Sequence, residues 1–168
     1  MLAANDSQRR VPRWAAGATA ALLALWAISQ LIPSSAPPVR WLTPAEAARL
    51  PLDGRPLLYD FTAAWCAPCR QLDREVLHNP EVAAAINRSF VPVKVEDRER
   101  EEGRNPPEVK ALQERFQVRA YPTLVIAAGD GTVLARLEGY PGARAAARFL
   151  LEGAGASSPP GAATAPNP

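Results

Sequence analysis

Cysteine and histidine are almost missing from this chain: two cysteines and one histidine stand among 168 residues. So small a stock of soft donors leaves a four-ligand zinc site short and excludes a disulfide-rich scaffold. The cysteines are one pair with one job. An excess of charge of one sign is lacking too. With 19 basic and 17 acidic residues the formal net charge is +2, too little field to draw a phosphate backbone, so nucleic acid is not an expected partner. The length implies one domain of ordinary size plus extras.

Residues 14–32, WAAGATAALLALWAISQLI, carry no charge, and their polar side chains are Thr19, Ser29 and Gln30. As a helix they would span about 28 Å at 1.5 Å per residue, close to the thickness of a bilayer's hydrocarbon. Arg9, Arg10 and Arg13 precede the stretch, whereas Arg40 and Arg49 follow it. The positive-inside bias then puts residues 1–13 in the cytoplasm and the rest on the periplasmic face of a cell inner membrane. Cleavage at Ser34-Ser35-Ala36 is the competing reading. Pro37 after the cut disfavours it, and the apolar run exceeds the roughly 7 to 15 residues of a signal-peptide core. The expectation is an uncleaved single-pass anchor. Residues 33–52, opening on Pro33-Ser34-Ser35-Ala36-Pro37-Pro38, read as a linker, and 153–168, an uncharged Gly/Ala/Ser/Pro run, as a disordered tail.

Between them, residues 53–152 alternate strand and helix patterns. Leu57-Leu58-Tyr59-Asp60-Phe61 is a short apolar run after Pro56, the pattern of a central strand. Cys69, Leu72 and Val76 fall at i, i+3 and i+7 of a following helix. His78-Asn79-Pro80-Glu81 interrupts it: Asn79 suits an N-cap, Pro80 the first helical position, and Val82 with Ile86 starts a new stripe. Two helical pieces should meet there at a bend. Phe90-Val91-Pro92-Val93-Lys94-Val95 reads as a strand whose Pro92 favours its beginning or a sheet edge. Residues 96–104 are a charge run, expected to be a solvated loop. Pro106-Pro107 opens a helix with Val109, Leu112 and Phe116 on one face, and Gly129-Asp130-Gly131 turns a hairpin between 123–127 and 132–138. An Ala-rich helix over 143–152 closes an α/β domain with a mixed sheet.

Cys66-Ala67-Pro68-Cys69 places two sulfurs one helical turn apart, able to join and separate with little backbone movement. The pair follows a strand, so Cys66 sits where a helix begins, and free backbone N–H groups there stabilise a thiolate. That makes Cys66 the attacking nucleophile and Cys69, a turn deeper on the apolar face, the buried resolving thiol. Pro68 fits the first turn, where its missing donor goes unneeded. A structural disulfide and a metal site are the alternatives. Covalent haem attachment lacks its histidine, because Arg70 follows Cys69.

From residue 57 to 151 the chain resembles the thioredoxin superfamily. Asp60-Phe61-Thr62-Ala63-Ala64-Trp65-Cys66-Ala67-Pro68-Cys69 resembles the active-site strand and loop, Tyr121-Pro122-Thr123 the cis-proline loop, and Gly139-Tyr140 the glycine after the last strand. Val76-Leu77-His78-Asn79-Pro80-Glu81-Val82 followed by Phe90-Val91-Pro92-Val93-Lys94-Val95 is most similar to the C-terminal thioredoxin-like domains of bacterial transmembrane thiol:disulfide interchange proteins, hung here on one anchor. The resemblance implies a thioredoxin-like fold, a central mixed sheet of about four strands flanked by helices. It implies that Asp60 lies buried beneath the cysteines and relays a proton to and from Cys69. Burial raises a carboxylate's pKa toward the useful range, although a strand-end aspartate bonded to nearby backbone is the plainer alternative. It implies a cis Pro122, Tyr121 backbone groups offered to an extended substrate, and Trp65 beside Pro68 covering the disulfide; simple packing is the alternative for Trp65. The chain departs from ordinary thioredoxin in lacking the proline within the active-site helix, where Arg74 stands nearby. Its connection over 96–105 is longer, and the first edge strand has no clear counterpart.

The reaction implied is two-step thiol–disulfide exchange without metal or organic cofactor. Its direction depends on the reduction potential, which spans roughly −270 to −120 mV among such proteins. The Ala-Pro between the cysteines is closer to the Gly-Pro of reducing members, so the expected enzyme is a protein-disulfide reductase. Its partners would be protein thiols and disulfides of the cell envelope, with a membrane electron donor as a further candidate. An oxidase or isomerase is the alternative enzyme; a tethered client-binding module stapled by its disulfide is the alternative that is not one.

Overall fold

The computed structural model of the chain describes residues 37–156. The anchor expected at 14–32, the segments 1–13 and 33–36, and residues 157–168 lie outside them. Among the described residues, no helix is long and apolar enough to cross a membrane.

Four strands form one sheet in the order β2-β1-β3-β4: β1 (Leu57–Ala63), β2 (Val91–Asp97), β3 (Thr123–Ala127) and β4 (Val133–Glu138). β1 pairs parallel with β2, placing Asp60 beside Lys94, and antiparallel with β3, placing it beside Leu124. β4 returns antiparallel to β3 through a turn in which Gly131 takes φ 87°, a conformation open to glycine at little cost. The mixed four-stranded sheet is the one expected. Pro92 sits second in β2, a marginal strand of that sheet, as its missing N–H requires.

Helices cover both faces because β1 and β3 are apolar on both. On one face Leu58, Leu124 and Ile126 meet Leu72 and Val76 beyond the cysteines, Val82 and Ile86 of α3 (Pro80–Ser89), and Leu150 of α6 (Ala143–Ala156). On the other, Phe61, Val93, Val95 and Val125 meet Val109 of α5 (Pro107–Arg115) and Phe116 just past its end. Each large side chain so buried contributes about 1.5–3 kcal/mol. The helix carrying the cysteines is α2 (Ala67–Leu72), which widens into a π-helical turn over Asp73–Leu77. The bend follows as expected: the Asn79 side chain accepts from Glu81 and Val82 N–H at 2.9 and 3.3 Å, with Pro80 at the head of α3. The π turn stands where the absent helix proline would.

Three expectations need correction. The domain begins before Asp53, so 33–52 is not simply a linker: Val39 is buried, and Leu42 bridges Val93 in parallel. Its backbone N–H donates to Pro92 O at 3.0 Å and its carbonyl accepts from Lys94 N at 2.9 Å. Thr43 then caps α1 (Pro44–Ala47) in a reciprocal box with Glu46. One bridge stands where an edge strand would. Residues 153–156 are not tail but the last turn of α6, with Ala154 buried. Gly153 fits because a Cβ there would collide with Ile126 Cδ1, so the glycine that reads as disorder is a close-packing contact. Finally, the charge run is no simple loop. Glu96 and Asp97 finish β2, Asp97 is 9% exposed, and α4 (Glu99–Glu102) follows, closed by Gly103 at φ 73°.

Candidate active site

Strand β1 ends at Ala63, and the Cys66 N–H closes the turn on the Ala63 carbonyl at 3.0 Å. Cys66 is the N-cap of α2, and its Sγ accepts from the Cys69 N–H at 3.1 Å. A donor aimed at that sulfur, together with the helix dipole, favours negative charge on it. Pro68 lies in the first turn, and the two cysteines form a disulfide with Cα atoms 5.3 Å apart. Cys69 is buried, as expected of the resolving thiol, but burial does not set it apart from Cys66. Cys66 is 2% exposed and Cys69 5%, so in the disulfide their difference is position on the helix, cap against first turn.

Tyr121 packs against the cluster of Ala63, Cys66 and Cys69, and its peptide bond to Pro122 is cis. Trp65 is 39% exposed and stands edge-on to Tyr121 at 5.7 Å between ring centroids. The structure therefore gathers Trp65, Cys66, Pro68, Cys69 and the 121–122 loop at one end of the sheet.

Asp60 lies behind them. It points to the α2 face of the sheet, is 2% exposed, and its Oδ1 has no hydrogen-bond partner among the described residues. Burial pushes its pKa up to about 6; the Lys94 ammonium, 3.7 Å from Oδ2, opposes the rise, and Asp73 adds to it. Lys94 also lies 3.5 Å from Asp73 and over the Trp41 ring. A cavity of about 420 Å³ is lined by Asp60, Cys69, Asp73, Lys94 and Glu96. Asp60 and Cys69 thus share one polar space, in which a carboxyl poised near neutrality can exchange a proton with a thiol. Lys94 escaped the sequence reading, though its alternation with the buried Val93 and Val95 turns it to the Asp60 face.

A second buried carboxylate was also missed. Asp97 accepts from the Tyr121 hydroxyl at 2.5 Å, the Glu99 N–H at 2.9 Å, Gln113 Nε2 at 3.1 Å and Asn105 Nδ2 at 3.2 Å. Gln113 also donates to the Tyr121 oxygen at 2.7 Å. Burial raises the Asp97 pKa, but the Tyr121, Glu99, Asn105 and Gln113 donors outweigh it and hold the carboxyl below its usual range. Period-two spacing from Val93 through Val95 gave the signal, masked by the charges around it. Asp97→Ala would leave several half-buried donors unpaired and is expected to lower stability by about 1–2 kcal/mol. Urea denaturation of variant and parent measures it, and an unchanged midpoint would reduce the network to surface decoration.

The sequence profile described as Thioredoxin-like domain matches residues 44–154. Among solved structures, a thioredoxin from Thermus thermophilus is 26% identical with a TM-score of 0.55, the match covering 68% of this chain and 85% of that one. A proposed disulphide-isomerase from Bacteroides thetaiotaomicron is 29% identical with a TM-score of 0.53, over 71% and 95%. The DsbH oxidoreductase, 22% identical with a TM-score of 0.56 over 71% and 89%, shares the fold. No curated protein matches the chain.

Proposed function

The chain belongs to the thioredoxin-like domain family, and from that premise we propose that it is a membrane-anchored thiol:disulfide oxidoreductase that reduces disulfides of periplasmic envelope proteins. The observation that carries the reading is the Cys66–Cys69 disulfide at the head of α2, packed against the cis-Pro122 loop. In the reduced protein the Cys66 thiolate attacks one sulfur of a client disulfide; a mixed disulfide forms and the other client sulfur leaves as thiolate. Cys69 then gives up its proton and attacks Cys66 Sγ, which releases the second client sulfur and closes the Cys66–Cys69 bond. Two electrons pass to the client. A dithiol donor restores the pair for the next cycle.

The placement of each residue supports the role proposed for it. Cys66 is the nucleophile, Cys69 the resolving thiol and Asp60 the proton acceptor on the shared cavity. Tyr121 and Pro122 offer backbone to an extended client, while Trp65 and Pro68 shape the surface it meets. The anchor and the periplasmic location rest on the uncharged stretch 14–32 and the arginines before it. Ala-Pro between the cysteines supports the reducing direction.

The test is a trap. Cys69→Ser, expressed in the full-length protein in intact cells, is expected to accumulate mixed disulfides through Cys66 with envelope proteins. Exclusively cytoplasmic clients would reverse the orientation. No captured client, with function persisting after loss of both sulfurs, would favour the client-binding module.

A further inference from the structure

We infer that the 98–105 segment walls the client groove and that its Arg100, seated over Trp65, selects clients bearing acidic side chains beside their reactive cysteine. The inference rests on the oxidoreductase reading and names the chemistry of its substrates.

The Arg100 guanidinium carbon lies 3.8 Å from the centroid of the Trp65 ring, and Trp65 in turn packs edge-on against Tyr121. A three-membered stack thus runs from α4 across the residue before Cys66 to the residue before Pro122. It joins the charged insertion to both walls of the proposed groove.

The segment is held in that place. Asp97 takes the Glu99 N–H and the Asn105 side chain, and the Arg98 N–H donates to Asn105 Oδ1 at 2.7 Å. Both ends of the insertion are therefore tied to the carboxylate that also accepts from Tyr121.

The pairing of charges singles out Arg100. Arg98 is engaged by Glu96 and Glu102 at 2.9 and 3.2 Å. Arg100 has no carboxylate within ion-pair distance among the described residues. Its guanidinium sits over Trp65 and makes no side-chain hydrogen bond among the described residues, so its N–H fork is left for another acceptor. Two further exposed arginines border the site: Arg70, which follows Cys69 and donates to Ala64 O at 2.7 Å, and Arg119, two residues before Tyr121. Neither has a carboxylate partner among the described residues. The opposing charges are Asp97 and Glu99, both near enough to act on the Tyr121 hydroxyl, and Glu101 on α4. It is the place of Arg100, over the residue before Cys66 and free of a carboxylate partner, that sets it to meet an acidic side chain beside a client's cysteine.

Peptides test this, using the full-length protein in neutral detergent. Two disulfide peptides differ only in carrying Glu or Lys on either side of each cysteine, and a third carries Ser. The readout is the second-order rate of mixed-disulfide formation by Cys69→Ser. At low ionic strength the Glu peptide is expected to react about three- to fivefold faster than the Lys peptide, the range of one exposed charge pair. The ratio should approach one at about 0.5 M salt, where screening is short-ranged. Adding Arg100→Glu should invert it, and because the ratio is internal, any loss of folded protein cancels. Equal rates at low salt, or a preference untouched by Arg100→Glu, overturn the selective wall while leaving the oxidoreductase reading standing. Failure of all three peptides to form a mixed disulfide overturns both.

Discussion

In Asp60→Asn the first attack by Cys66 on a client disulfide should proceed near its normal rate, while resolution of the mixed disulfide slows by about 10² to 10⁴-fold. The asymmetry follows from the two thiols. Cys66 Sγ is the N-cap of α2 with the Cys69 N–H 3.1 Å away, so it is prepared to carry charge before the client arrives. Cys69 belongs to the buried cluster with Ala63 and must shed a proton before it can attack. Of the carboxylates that share its cavity, Asp60, Asp73 and Glu96, Asp60 is the buried one and the one whose pKa burial has pushed up. Rapid-quench sampling with a model disulfide separates the two steps. Equal slowing of both would mean that the variant has disturbed the fold, and an unchanged second step would leave Asp60 without a part in the reaction.

The same substitution should make the oxidised protein more stable. An unfolded aspartate titrates near ~3.9, whereas Asp60 in the folded chain is pushed up to about 6 by burial, against the pull of Lys94. Below about pH 4 both states hold the proton and the group is neutral in the balance. Between about 4 and 6 the folded state keeps a proton that the unfolded state has released, so stability falls as pH rises; above about 6 the loss is complete. Its size is on the order of 2–3 kcal/mol, because the carboxyl binds its proton about a hundredfold more tightly in the folded chain than in the unfolded one. Asp60→Asn should therefore exceed the parent by about that amount at pH 7.5 and match it near pH 4, by urea denaturation at each pH. Comparing two proteins that differ at one residue cancels the other carboxylates, including Asp97, whose lowered pKa makes its own contribution fall as pH drops. A difference that does not change with pH would show that Asp60 is not the group responsible. Together the two predictions describe a residue kept for the reaction to the detriment of the fold.

What could be read from sequence was decided locally. Asn79-Pro80 caps and opens a helix whatever surrounds it, Gly129-Asp130-Gly131 turns a hairpin by its own backbone freedom, and the cysteine spacing fixes a helical turn. Asp60, Tyr121 and Pro122 were legible only through resemblance, because burial and proximity to a disulfide are not properties of a pentapeptide. Asp97 was misplaced for the same reason. Its donors lie at 99, 105, 113 and 121, and a charge run looks solvated until those partners fold against it. Leu42 and Gly153 went unrecognised because each is fixed by a surface far along the chain: the free margin of β2 for one, Ile126 for the other.

The Leu42 bridge bears on how such a protein keeps company with its clients. Chains awaiting disulfide chemistry carry unfinished strands, and an open sheet margin is a template onto which they can add. At β2 the place is partly taken: Leu42 occupies the donor and acceptor positions between Pro92 and Lys94, and Pro92 has no N–H to offer. Asn87 fastens the plug, its amide donating to Pro38 O at 3.0 Å while its oxygen accepts from the Arg40 N–H at 2.9 Å. At the other margin β4 carries Arg136 and Glu138, paired at 2.6 Å, charges that an incoming strand would have to desolvate. A client is thereby discouraged from adhering by its backbone along either side of the sheet, and self-association through the same margins is discouraged with it.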